Sequence, residues 1–252
     1  AHISSLRLTY LETKTKEQIS PQQFPTVTLL ANEIDDRLQS AHNYVISLAQ
    51  LLTAAHLNDP DQAQAVLDRY SFMQTTFTNG FFLFDKAGTL LAETPFQSLE
   101  RRGKNFAFRE YLAATIAGKA PYIGDPYLSS RDHQHPAIML TSPIFDHQGE
   151  LIGVLGGSID LLTDNGFNLF TRLKIGRDGY YYLATTDRKI IMHPDQSRIL
   201  NPQGDITKGA NILFEQAISG FEGTGETVTS RGLQAITSFK RLKAKDWIIG
   251  AN

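Results

Sequence analysis

The stretch that decides the fold is residues 136–161, which read PAIMLTSPIFDHQGELIGVLGGSIDL. Two apolar runs, 136–145 and 150–161, lie on either side of the polar turn Asp146-His147-Gln148-Gly149. Apolar runs joined by a short turn that contains glycine are typical of β-strands that pair as a hairpin. The sequence therefore predicts two long antiparallel strands here, with a further strand around 121–128 before them.

A second hairpin and a helix precede these strands. Residues 81–84 (FFLF) and 89–92 (TLLA) lie on either side of a turn at 85–88 that ends in glycine, which predicts a hairpin. Residues 106–116 predict a helix that closes at Gly118, since glycine is common just beyond helix ends.

A similar order recurs in the second half of the chain. Residues 179–184 (GYYYLA) and 189–192 (KIIM) predict another hairpin, around 186–188. The elements predicted after it are a helix at 209–219, strands near 224–229, 232–240 and 246–251, and turns at 230–232 and 244–246. The fold class is therefore predicted as α+β, with two tandem antiparallel-sheet subdomains and a boundary near residues 163–173.

A long helix is predicted before the first sheet. Its apolar residues step by three and four along one face: Val27, Leu30, Ile34, Leu38, Ala41, Val45, Leu48 and Leu52. This pattern predicts a helix over roughly 22–57 with Pro25 in its first turn, about 50 Å long at 1.5 Å per residue. The helix could pack lengthwise on its own domain or form a stalk that dimerises, and both can hold. Residues 60–75 predict a shorter helix.

The composition excludes several classes of protein. The 252 residues contain no cysteine, which excludes disulfide frameworks, thiol catalysis and zinc sites built on cysteine. A net charge of -2 lacks the basic footprint of a nucleic-acid binder, so no nucleic-acid partner is expected. No window of 18 apolar residues and no signal peptide are present. We read both ends as cuts within a longer chain.

Particular motifs resemble the double Cache (PAS-like) extracytoplasmic sensor domain. FFLFDKAGTLLAET, FREYLAATIAGKAPYIGDP and the stretch at 136–161 are similar to its membrane-distal half. GRDGYYYLATTDRKIIMHPD and AKDWIIGA are similar to its membrane-proximal half. The resemblance covers about residues 20–252, and the motifs are specific in combination.

The resemblance implies an architecture and a location. Its expected parts are a stalk helix at 1–57, a distal subdomain at 58–165 and a proximal subdomain at 166–252. It implies a non-catalytic, cofactor-free sensor of a prokaryotic transmembrane receptor, of histidine kinase, chemoreceptor or diguanylate cyclase type. The receptor would be a homodimer, with membrane-spanning helices before and after this periplasmic or extracellular portion.

The resemblance also implies a ligand site in the distal half. Arg109 occupies the position of an arginine that binds the ligand's carboxylate, and Asp160 that of the acid which receives its ammonium group. The remaining candidate contacts are Tyr111, Tyr122, Tyr127, Ser129, Met139 and Thr141. The expected ligand is an amino acid or a small organic acid. The family's amino-acid-binding members carry a tryptophan near Arg109 that this chain lacks, and with a plain acid Asp160 would need another cation or a proton.

Other motifs in the sequence suggest metal binding or hydrolysis. Asp132, His133 and His135 could begin a metal site with His147 or His193, but are read more simply as a polar hairpin loop. Residues 156–160 (GGSID) lack the closing glycine of a nucleophile elbow. The alternative functions are a protein-interaction or structural ectodomain without a small ligand and, third, a small secreted hydrolase.

Overall fold

The computed structural model describes the backbone of residues 2–70, 75–95, 99–228 and 234–252, and within those ranges the side chains from residue 21 onward. No helix in these ranges combines the length and the apolar character that a membrane span needs. The predicted turn at 230–232 lies outside the described residues.

The chain folds into two compact units that share one long helix, α1 (His2–Gln50). One unit is Arg37–Gly166, and the other joins Ala1–Asp36 to Phe167–Asn252. The eight residues of the predicted apolar face are all buried, which confirms that face. Removal of this face from water is the main stabilisation that the helix gains in each unit.

The ends of α1 differ from the prediction. The helix begins well before residue 22, so Pro25 lies in its interior, where it removes one backbone hydrogen bond. It ends at Gln50 rather than 57, because Thr53 is extended and its carbonyl accepts from the N–H of Leu57. That bond starts a new short helix in place of continuing the old one.

The unit Arg37–Gly166 is built on one six-stranded antiparallel sheet. Its elements are α2 (Ala54–Asn58), α3 (Pro60–Arg69), β1 (Gly80–Asp85), β2 (Leu90–Thr94), α4 (Glu110–Gly118), β3 (Tyr122–Ile123), β4 (Tyr127–Leu128), β5 (Pro136–Phe145) and β6 (Leu151–Asp160). The strand order is β2-β1-β6-β5-β3, with β4 also pairing with β5.

Side chains alternate across this sheet and give it two buried faces. Phe81 pairs with Gly157 on the face toward α1, where a Cβ on Gly157 would lie 2.8 Å from Val45. Phe82 pairs with Gly156 on the opposite face. This opposite face carries the candidate site described below.

Two predicted elements of this unit have different bounds. The strand expected at 121–128 is two short strands, because the pairing with β5 lapses at Asp125 and Pro126, and proline has no N–H to donate. The helix expected from Phe106 begins at Glu110, because the backbone of Arg109 is extended and the helical conformation starts only after it.

The second unit repeats this topology. Its elements after α1 are β7 (Lys174–Ile175), β8 (Gly179–Ala184), β9 (Ile190–Met192), α5 (Ile212–Ile218), β10 (Gly223–Val228), β11 (Gln234–Arg241) and β12 (Ile248–Ala251). The order is β10-β11-β12-β8-β7, with β9 on β8. In both units the first hairpin strand pairs with the last strand of the sheet, which confirms the predicted tandem arrangement.

Candidate functional site

The face of the first sheet that lies away from α1 carries an apolar floor. Its buried members are Phe82, Phe84, Leu90, Phe106, Tyr111, Leu112, Met139 and Val154. Two predicted site residues, Tyr111 and Met139, are thus part of this floor, exposed by 4% and 1%. Burial raises the pKa of Tyr111 well above its usual value, so its hydroxyl stays protonated.

Polar side chains lie beside this floor and form what we call the candidate site: Asn79, Arg109, Tyr127, Ser129, Arg131, Ser158 and Asp160. Tyr127 is its centre, because the ring lies 5.1 Å from that of Tyr111 and packs against the floor. The structure brings Arg109, Tyr111 and Ser129 together around it, and Asp160 joins this group through His135 and His133, in the contacts described next.

Arg109 precedes the first turn of α4 and is held by aromatic rings. Its guanidinium carbon lies 4.9 Å from the ring centroid of Tyr127 and 5.1 Å from that of Phe108. Nη2 donates to the carbonyl of Leu128 at 3.0 Å, while Nε is buried and has no hydrogen-bond partner among the described residues. The arginine is therefore held in place while retaining donor capacity.

A histidine sets the direction of the hydrogen-bond network. The backbone N–H of His135 donates to Nδ1 of His133 at 2.8 Å, so the proton of the neutral His133 ring is on Nε2. That Nε2 donates to Oδ1 of Asn79 at 2.9 Å. Burial lowers the pKa of His133, which favours this neutral ring.

The network continues to Tyr127 with defined donors. Nδ2 of Asn79 donates to the Ser158 hydroxyl at 2.9 Å and to the Ser129 hydroxyl at 3.3 Å. The Ser158 hydroxyl donates to the Ile138 carbonyl at 3.1 Å. The Tyr127 hydroxyl, 2.8 Å from Ser158 Oγ, therefore donates to that oxygen, and its own oxygen is an acceptor. Predicted Ser129 orients Asn79 in this network.

Asp160 is buried, 3% exposed, and its carboxylate is already bonded. Oδ1 accepts from the backbone N–H of Leu162 at 2.8 Å. Oδ2 accepts from Nδ1 of His135 at 2.8 Å. His135 is thus a partner that serves Asp160 without a ligand ammonium group, so plain acids and amino acids both stay compatible with the site.

Two predicted residues form a separate group. The Thr141 hydroxyl is fully buried and lies 2.6 Å from that of Thr115, so it fastens α4 to β5. The Tyr122 hydroxyl donates to the carboxylate of Glu110. Among the described residues, neither hydroxyl bonds to Arg109 or Asp160.

Arg131 is a site residue that the sequence reasoning missed. It is 3% exposed, with Nη1 and Nη2 donating to the carbonyls of Pro95 and Thr94 at 3.1 Å each. Its guanidinium carbon lies 4.7 Å from the ring centroid of Phe82. Nearby, Nε of Arg101 donates to both carboxylate oxygens of Glu93, at 2.9 and 3.0 Å.

The site residues that the sequence reasoning missed differ in how well the sequence could have predicted them. Ser158 stands two residues before Asp160 on the same strand, so alternation alone places both on one face. Asn79 and Arg131 lie just outside regular strands, where no periodicity predicts direction.

Three described side chains of the types that bind metals lie close together. They are His133, His135 and Asp160, and their ligand atoms lie within 4.8 Å of one another. A metal would need a lone pair on Nε2 of His133. That nitrogen carries the proton, since Nδ1 accepts from a backbone N–H. The arrangement therefore works as a hydrogen-bond network, and two ligands would not suffice for a metal site.

The second unit contains a small cavity beside Tyr180, Tyr182, His193 and Arg198. Its volume of about 20 Å³ is room for about one water. Nδ1 of His193 accepts from the backbone N–H of Asp195, and Nε2 lies 3.0 Å from Nη1 of Arg198. These bonds give His193 a structural role in the second unit.

Comparison with known proteins yields sequence relatives that are chemoreceptors. The methyl-accepting chemotaxis protein PctB of Pseudomonas aeruginosa is 27% identical over 222 residues, 88% of this chain and 33% of PctB. McpA of Pseudomonas putida is 29% identical over 105 residues, 40% of this chain and 15% of McpA. The chain thus spans about a third or less of the length of these relatives.

Solved structures share the fold. The ligand-binding domain of P. aeruginosa PctB with L-Gln matches at a TM-score of 0.68 and 24% identity, covering 89% of this chain and 86% of that chain. The corresponding domain of P. aeruginosa PctC with GABA matches at 0.65 and 21%, covering 89% and 94%. These likenesses confirm the α+β fold with a long helix and two antiparallel sheets. The Cache domain family model matches residues 9–252, and the chain therefore belongs to the Cache domain family in its double (dCache) form.

Proposed function

We propose that this chain is the extracytoplasmic sensor domain of a prokaryotic receptor, and that the subdomain 58–165 binds an amino acid or a small carboxylate. The relatives support this proposal, since the PctB domain was solved with L-Gln and with L-Arg, and the PctC domain with GABA. The stalk helix 1–57 and the proximal subdomain 166–252 would relay the signal in a homodimer with membrane-spanning helices. Catalysis belongs to none of these parts.

The observation that carries the proposal is the state of Arg109. Its guanidinium is fixed by two aromatic rings and one carbonyl, yet its buried Nε lacks a partner among the described residues. A guanidinium can hold a carboxylate through two parallel hydrogen bonds, which a lysine cannot. We assign Arg109 to the carboxylate of the ligand.

The other predicted residues take roles around this contact. The Tyr127 oxygen and the Asp160 carboxylate are acceptors for an ammonium group, and Tyr111 and Met139 supply apolar wall. Ser129 orients Asn79, while Tyr122 and Thr141 hold the edge of the floor to α4. Binding would favour one conformation of α4 and the loops, by no more than the ligand's difference in affinity for the two conformations.

Thermal unfolding with a panel of amino acids and organic acids tests the proposal. A ligand at 100 times its dissociation constant should add about 2.7 kcal/mol to the free energy of unfolding. Arg109→Ala should abolish this gain and leave the midpoint of the ligand-free protein nearly unchanged. Arg102→Ala is the matched control, because Arg102 makes a surface ion pair with Asp61 and should leave binding intact.

Two outcomes would contradict these assignments. If no member of the panel shifts the midpoint, the ectodomain without a small ligand becomes the better function. If Arg109→Ala strongly lowers the midpoint of the free protein, the arginine is structural and the carboxylate has another receptor.

A further inference from the structure

Two buried guanidinium nitrogens stand out in the unit Arg37–Gly166. Within its described residues, the buried side-chain nitrogen and oxygen atoms without a hydrogen-bond partner are Nε of Arg109 and Nε of Arg131. Such atoms are costly, because a buried donor loses its hydrogen bonds to water. Arg109 lies over the ring of Tyr127 and bonds to the Leu128 carbonyl, and the backbone N–H of Arg131 donates to the hydroxyl of Ser129, the next residue along the chain.

Among the described residues no carboxylate forms an ion pair with Arg131, and Glu93 stabilises its charge only from beyond 4.0 Å. Its Nη atoms bond to two neutral carbonyls, and its guanidinium carbon lies over the ring of Phe82. Burial lowers the pKa of this guanidinium, which shows the strain of holding the charge away from water.

The carboxylates around the candidate site already have hydrogen-bond partners. Glu93 bonds to Arg101 through both oxygens. Asp160 bonds to His135 and to the backbone of Leu162. Among the described residues, no carboxylate lies within 4.0 Å of a nitrogen of Arg109 or Arg131. A first ligand carboxylate bound at Arg109 would therefore still leave the buried Nε–H of Arg131 without an acceptor.

We propose that the ligand carries two acidic groups, with one on Arg109 and the second received by Arg131. This proposal rests on the proposed function and narrows it to acidic amino acids and dicarboxylates. The Nε–H of Arg131 and the charge that its carbonyl partners leave unbalanced are what a second carboxylate would satisfy.

Isothermal titration of the wild-type chain with isosteric pairs tests the proposal. L-glutamate and L-glutamine differ in one acidic group at nearly the same size, as do L-aspartate and L-asparagine, and succinate and succinamate. A charged hydrogen bond should make at least one acid bind about tenfold or more tightly than its amide. Equal or tighter binding of all the amides overturns the proposal and leaves the proposed function standing. No binding by any of the six also overturns this proposal, whereas the proposed function is decided separately by the thermal unfolding panel.

The Arg131→Gln variant tests whether Arg131 causes the preference for acids over amides. In this variant the ratio of acid to amide affinity should fall by about tenfold, while Arg102→Gln, which removes the same charge from the surface, should keep it. A folded Arg131→Gln that retains the full ratio excludes Arg131 as the receptor. The comparison in the wild-type chain stands even if Arg131→Gln fails to fold.

Discussion

At the scale of single residues, Asp160 shows how a buried charge can serve two kinds of ligand. Its carboxylate is almost fully buried and would be costly without a partner. Nδ1 of His135 supplies that partner at 2.8 Å, and His135 itself is partly exposed. A ligand ammonium group could add to this arrangement, but a plain acid leaves Asp160 already bonded.

We expect Asp160→Asn to weaken ligands with an ammonium group more than plain acids of the same length. The substitution keeps the shape and the acceptor for the Leu162 N–H but removes the charge. Affinity for L-glutamate should fall about tenfold relative to affinity for glutarate, by titration calorimetry. Asp132→Asn is the control, because Asp132 is exposed in the loop that carries His135. Equal losses for both ligands would refute the ammonium role.

Some site residues could be predicted from residue type and others could not. The resemblance predicts Arg109 and Asp160, and an acidic residue within an apolar strand also indicates a buried carboxylate that needs a partner. Arg131 lies in a polar loop that reads as solvated, and its burial depends on carbonyls 36 and 37 residues away. Contacts of that separation leave no local pattern in a single sequence.

At the scale of elements, periodicity predicts faces better than ends. The stepped apolar residues of α1 predict the buried face that the structure has, and the apolar runs at 136–145 and 150–161 predict the two strands that pair as β5 and β6. The end of α1 depends instead on a backbone bond made by Leu57, and the start of α4 on the extended backbone of Arg109. Such local backbone features cannot be inferred from hydrophobic pattern alone.

Neighbouring glycines in β6 offer a test of the two sheet faces. A Cβ on Gly157 would lie 2.6 Å from the ring of Phe77 and 2.8 Å from Val45, both fully buried. A Cβ on Gly156 would lie 2.6 Å from the sulfur of Met139, a flexible side chain that can move. Gly157→Ala should therefore lower the free energy of unfolding by about 1–3 kcal/mol, and Gly156→Ala by less.

Urea unfolding of both variants measures this difference. Both substitutions add one methyl group in the same strand, so each controls for the other in β-propensity. Equal unfolding midpoints would show that the packing against α1 is no tighter than the packing over the floor.

At the scale of the whole molecule, one topology occurs twice with different polar contents. In the second unit, Arg198 donates to the Gly204 carbonyl through Nε and Nη2, and its Nη1 lies 3.0 Å from Nε2 of His193. The adjacent cavity has room for about one water. Among the described residues, the first unit holds two arginines with a buried, unpartnered Nε, both beside the floor, whereas the second holds one, Arg241, which bonds to two carbonyls at the end of α5. The shared fold therefore does not imply a shared ligand site.

Hydrogen exchange should locate the ligand in one unit. With a saturating acidic ligand such as L-glutamate, amide protection should rise in residues 80–95 and 127–161 and stay unchanged in 179–192 and 212–228. Binding raises the free energy needed to open the elements that hold the site, while openings elsewhere that keep the ligand bound cost the same as before. Arg109→Ala treated with the same ligand should show no change in either unit. Protection confined to 179–192 would place the ligand beside Tyr180 and His193, and the assignment of sensing to 58–165 would then be wrong.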